Sequence, residues 1–122
     1  MGFCWVTLTV ADIEASLAFY RDVVGLSLHR RAEPRPGTRL AFLGAEGSPT
    51  EVELISNEDN PSPVHGKDTS LGFTVESLDD TIARVKAAGV EEVEGPFQPA
   101  PAIRFAYITD PDGGRVQFVE NL

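Results

Sequence analysis

The sequence holds one cysteine, Cys4, so no internal disulfide can staple the fold. No apolar run is long enough to span a bilayer. The first residues lack the basic-then-apolar order of a secretory leader, and the cytoplasm is therefore the expected location. Positive charge is scarce: 10 Lys and Arg stand against 19 Asp and Glu, a formal net charge of −9. That balance opposes a phosphate backbone, so neither nucleic acid nor membrane is an expected partner. It suits a cationic small molecule, or simply keeps a small protein soluble. Only two histidines are present, His29 and His65. The glycines have no dinucleotide-binding spacing, and no thiol–histidine nucleophile pattern surrounds Cys4. The length of 122 residues, with 42% hydrophobic and 24% charged residues, fits one globular domain.

What the chain does contain is a repeat. VTLTVADIEASLAFY at 6–20 and SLGFTVESLDDTIARV at 70–85 both read as strand, turn and helix. Thr9-Val10 matches Thr74-Val75, Asp12 matches Ser77, and VELI at 52–55 matches VQFV at 116–119. The repeats run over about 1–57 and 68–122 and are joined by the polar linker SNEDNPSPVHGKD. Each half alone is too small to bury a good core, so the halves are expected to share sheet edges within one chain or across a homodimer. A duplicated unit also offers a cleft between its halves as a ligand site.

The alternation of apolar residues predicts strands at 3–10, 26–31, 39–43 and 50–55, then at 70–75 and near 91–95, 103–108 and 115–120. Asp12 and Ser77 stand as helix caps. Ile13, Leu17, Tyr20 and Val24 form an apolar helical stripe that Gly25 ends, and Leu78, Ile82, Val85 and Gly89 form the second. The stretch GPFQPAP at 95–101 holds three prolines and is expected to resist regular structure. Cys4 is expected to be a buried thiol, His29 a surface residue and His65 an exposed linker residue. DPDGG at 110–114 is an architectural turn. The pattern is an α+β fold of two βαβββ modules. The sheet faces away from the helices carry Trp5, Thr7, Thr9, Glu53, Ser70, Gly72, Thr74 and Gln117, a mixed set suited to lining a concave surface.

These features, TLTVADIEASLAFYRDVVGLSL, VELI, LGFTVESLDDTIARVKAAGV and ITDPDGGRVQFVE, resemble the vicinal oxygen chelate superfamily over nearly the whole chain. That group includes glyoxalase I, extradiol dioxygenases and bleomycin resistance proteins. The resemblance implies a single glyoxalase/bleomycin-resistance-like domain over 1–122 with a concave sheet cleft. In the metal-dependent members four strand residues, typically His or Gln, Glu, His and Glu, hold an ion. Their places fall here on Trp5, Glu53, Ser70 and Gln117. The Trp5 indole has no lone pair to give, Ser70 is a weak neutral ligand, and Gln117 offers only an amide oxygen. No metal or other cofactor is therefore expected, with a divalent metal as the alternative.

Two functional readings follow from that resemblance. The first is metal-independent binding of a small cationic or aromatic molecule, as in the bleomycin-resistance branch. The second is a glyoxalase I-like lyase or isomerase with a non-standard metal site. Glu53 suits a general base, an anion facing a cationic ligand, or a solvent-facing strand residue. Trp5 suits stacking or packing. Thr7, Ser70 and Gln117 are further candidate ligand contacts. Tyr107 and Arg104 stand on opposite faces of one strand, and whichever meets the ligand face is a candidate too.

Overall fold

The computed structural model describes all residues, Met1–Leu122. The chain forms two compact units, Met1–His65 and Gly66–Leu122. The first contains strand β1 (Trp5–Thr9), helix α1 (Ile13–Ala18), a π-helical turn (Phe19–Val24), and strands β2 (Ser27–Arg35), β3 (Thr38–Gly44) and β4 (Glu51–Asn57). The second contains β5 (Ser70–Thr74), α2 (Leu78–Ala87), β6 (Glu94–Ala100), β7 (Ile103–Thr109) and β8 (Arg115–Asn121). Strand order is β1-β4-β3-β2 in one sheet and β5-β8-β7-β6 in the other. The first strand of each unit pairs in parallel with the last, and the remaining pairs are antiparallel. The repeat read from the sequence is thus a repeated βαβββ topology.

Each helix covers one face of its own sheet. The Asp12 carboxylate accepts from the backbone N–H groups of Glu14 and Ala15, which starts α1. Ile13, Leu17, Tyr20 and Val24 are buried with Ala41, Leu43, Val52 and Leu54 from the middle strands. The π-helical turn admits one extra residue, so Phe19 joins Tyr20 on the buried side and their rings meet edge-on at 5.1 Å. Gly25, at φ 97°, takes the left-handed conformation that closes the helix. In the second unit Ser77 caps α2 through the Asp80 N–H. Leu78 and Val85 bury fully with Ala106, Ile108, Val116 and Phe118. Thr81, rather than Ile82, completes the buried side of α2, with its hydroxyl donating to the Ser77 carbonyl.

Three expectations are corrected. Cys4 is exposed, because β1 begins one residue after it. His65 is half-buried, with Nε2 donating to the Thr9 carbonyl at 2.6 Å, so the linker is tied to the end of β1. His29 lies at the surface as expected, with its imidazole 23% exposed and paired with Glu51. The proline-rich stretch forms β6. It is an edge strand with register shifts on both sides of Phe97, and prolines are tolerated at such positions.

Candidate ligand-binding faces

Strand register decides which side chains share the face that the helix does not cover. In the first unit Trp5 stands opposite Glu51, and Thr7 opposite Glu53, which in turn faces Phe42. The Thr7 hydroxyl donates to Glu53 at 2.6 Å and fixes one carboxylate oxygen of a half-buried side chain. Trp5 is 42% exposed and meets Phe42 edge-on, ring centroids 5.4 Å apart. The Arg30 guanidinium lies 3.9 Å above the Phe42 ring and donates to Glu51 at 3.0 Å. His29 Nδ1 meets the same Glu51 oxygen at 2.7 Å.

Glu51 is 9% exposed, so its charge rests on these two partners. The hydrogen bond to His29, aided by Arg30 and opposed by burial, holds its carboxyl below the usual carboxylate range. A depressed carboxyl contributes stability above its unfolded pKa, about 4.3, and loses that contribution as pH falls through the folded value. Glu51→Gln is therefore expected to be destabilising near neutrality and nearly neutral in acid. Urea midpoints measured from pH 7 down to pH 3 check this; a gap between variant and wild type that widens in acid contradicts it.

The second unit presents a different surface on the corresponding face. Gly72 and Tyr107 both register with Gln117, and Ser70 with Arg115. Gln117 donates through Nε2 to the Tyr107 hydroxyl at 3.1 Å. Phe97, Phe105 and Tyr107 form an aromatic row, with successive centroids 5.6 and 5.7 Å apart. Phe97 and Phe105 line a shallow hollow with Gln98 and Pro99. Arg115 stacks 3.9 Å over Tyr107 and pairs with Glu94 at 2.9 Å.

The structure settles which side of β7 each candidate takes. Tyr107 lies with Gln117 on the face away from the helix. Arg104 lies on the helix side, where it donates to Asp79 at 3.0 Å and to Glu120 at 3.5 Å. Asp79, as the main cause, raises the guanidinium's already high pKa. Arg104 thus clamps the start of α2, where Glu120 also accepts from the Leu78 N–H. Arg104→Ala is expected to increase hydrogen exchange in the first turn of α2 and leave ligand binding unchanged; loss of binding with α2 intact contradicts this.

Trp5 and Glu53 lie on the first face, and Ser70 and Gln117 on the second. This set does not fit a transition metal. One carboxylate is already engaged by Thr7, one amide by Tyr107, and the indole and the hydroxyl add no strong donor. No group of three or more His, Cys, Asp or Glu side chains is placed to hold an ion. The sequence reading missed His29 and Arg30 as members of the first face, and it left Glu51 out of the candidate site residues. Glu51 shared the alternation of Glu53 and was open to inclusion on that signal.

The fold and these faces define a class. The chain matches the family model described as the Glyoxalase/Bleomycin resistance protein/Dioxygenase superfamily over residues 2–118, and it belongs to that family. It is 37% identical over 122 aligned residues to a lactoylglutathione lyase of Haemophilus influenzae, covering 93% of this chain and 88% of the relative. It is structurally similar to TnmS3, an antibiotic binding protein from Streptomyces sp. CB03234, at a TM-score of 0.80 and 25% identity over 100% of this chain and 97% of that one. It is also similar to a mutant glyoxalase I of Zea mays, at a TM-score of 0.82 and 28% identity over 97% of this chain and 45% of that one. Those neighbours fall on both sides of the binding-or-catalysis divide.

Proposed function

We propose that this protein binds a small aromatic or cationic molecule on the sheet faces its helices leave free, without a resident metal ion. The observation that carries the reading is the content of the four family ligand positions. Trp5, Glu53, Ser70 and Gln117 supply one carboxylate and no imidazole, while the surrounding faces supply aromatic rings. A ring or cation gains from Trp5 by stacking or by the ring quadrupole, and a cation gains further from Glu53. Similarity to an antibiotic binding protein supports the same reading. A homodimer is part of this proposal, since β1 and β5 each form the edge of their sheet and an unpaired edge invites a partner.

The test is a thermal-shift panel of neutral and cationic aromatic compounds on protein purified without added metal, followed by calorimetry on the hits. Ligand-dependent stabilisation in metal-free protein is expected. Glu53→Gln, which keeps the acceptor for Thr7 and removes the charge, is expected to weaken a cationic hit about tenfold, or about 1.4 kcal/mol. Equal affinity in the variant contradicts the assigned role of Glu53.

A second reading, a glyoxalase I-like lyase or isomerase, has its support in the 37% identity to the Haemophilus influenzae lyase. Glu53 would then serve as the proton-shuttling carboxylate. Stoichiometric divalent metal in the purified protein, lost in Glu53→Ala, would establish this reading at the expense of the first.

A further inference from the structure

β2 and β3 lose register between Leu28 and Arg30. In a regular strand His29 and Arg30 point to opposite faces. The irregularity brings both onto one carboxylate oxygen, that of Glu51, at 2.7 and 3.0 Å. Bulges of this kind re-aim side chains at the cost of a ladder bond. The opposite strand makes room for the result: a Cβ added at Gly44 would stand 3.0 Å from Cε1 of His29. An imidazole has thus been turned onto the helix-free face and clasped by a buried carboxylate through one nitrogen.

The clasp decides which nitrogen carries the proton. An ionised carboxylate only accepts, so the neutral imidazole keeps its hydrogen on Nδ1 and its lone pair on Nε2. Glu51 is ionised throughout the neutral range, its carboxyl being held low by His29 and Arg30. Nε2 makes no hydrogen bond within the chain. His65 is the contrast, since its Nε2 donates to the Thr9 carbonyl. The other ionisable groups on this face are Arg30, Glu53 and, at the far end of β2, Arg35, which donates to Thr38 at 3.1 Å.

We infer that the His29–Glu51 pair is a proton-accepting site on this face, with a phenol as the class of molecule it takes. Trp5, the cross-strand neighbour of Glu51, is 42% exposed and offers a surface for the ring. In the step, the phenolic O–H bond breaks and the proton joins the Nε2 lone pair. The bonding electrons stay on the oxygen. The imidazolium retains Nδ1–H toward Glu51, whose other partner is the half-exposed Arg30 guanidinium. No oxidant, metal or co-reactant enters. The inference rests on the reading of this face as ligand-bearing and narrows the aromatic class.

Two experiments on the full-length protein test it. The first needs no ligand: nitrogen-15 NMR of wild type is expected to find neutral His29 protonated at Nδ1. Carbethoxylation by diethyl pyrocarbonate, mapped by mass spectrometry, is expected to be faster at His29 than at His65. An Nδ1-bare tautomer, or slower reaction at His29, overturns the proposal. The second uses 4-nitrophenol, whose phenolate absorbs visibly. Bound probe is expected to ionise at lower pH than free probe, and His29→Gln is expected to abolish that shift. A bound probe that ionises no earlier than the free one, a shift that survives in His29→Gln, or an absence of binding overturns the assignment to phenols. Binding of non-phenolic aromatic cations in the thermal-shift panel is scored separately, so failure of the phenol assignment is distinguished from failure of the ligand-bearing reading it rests on.

Discussion

Replacing Phe118 with alanine is expected to lower the stability of the C-terminal unit by about 3–5 kcal/mol, the range found for large aromatic truncations in packed cores. Phe118 sits on β8, between β5 and β7, with Phe73 on one side and Ala106 on the other. It is 1% exposed on the face that α2 covers, among Leu78, Val85, Ile108 and Val116. Ala106 is already small, and the strands either side are fixed by their ladders. Few neighbours are therefore free to collapse into the space the ring leaves, and cavity and transfer costs add. Hydrogen exchange of β5, β7 and β8 amides, read alongside urea denaturation by circular dichroism, measures the loss. A change below about 1 kcal/mol would show that α2 settles into the gap.

Asp110→Ala is expected to cost about 2–3 kcal/mol, for a different reason. Asp110 is 5% exposed, and its Oδ1 accepts from the N–H groups of Asp112 at 2.9 Å and Gly114 at 2.7 Å. Backbone bonds from Asp110 N–H to the Gly114 carbonyl and from Gly113 N–H to the Asp110 carbonyl complete the loop. Gly113 supplies the positive φ of 87° the turn needs. Alanine removes the charged acceptor and leaves two donors without it. Asp110→Asn keeps an oxygen in the same place and is expected to lose less than half as much. Equal losses in the two variants would show that the carboxylate charge, not its hydrogen-bond geometry, holds the turn. The measurement is the urea midpoint of each variant at neutral pH.

Much of the fold was legible because the apolar periods are clean and appear twice. Alternation in β1, β4, β5 and β8 put Trp5, Thr7, Glu53, Ser70 and Gln117 on the correct sides of their sheets. Asp12 and Ser77 announced the helix starts, and both act as caps. What escaped prediction are the places where a strand or helix gains one residue. The register shift beside His29 and the π-helical turn at Phe19–Val24 each change which side chains face inward, and neither carries a residue-type signature. β6 was hidden by its prolines, which exclude a central strand but not an edge. Cys4 was assigned to the buried side by extending the alternation of β1 past the point where neighbouring chain covers it.

The two units share one backbone plan but have parted in side-chain chemistry. One face carries carboxylates, an imidazole and a guanidinium around an indole. The other carries a row of rings with an amide and one Arg115–Glu94 pair. The repeated backbone plan thus presents two chemically different surfaces. Exchanging equivalent residues between the halves, Glu53 with Gln117 for example, would therefore move charge from one surface to the other at constant composition. Such a swap leaves net charge and sheet topology untouched, so any change in ligand preference it causes reports the divergence itself.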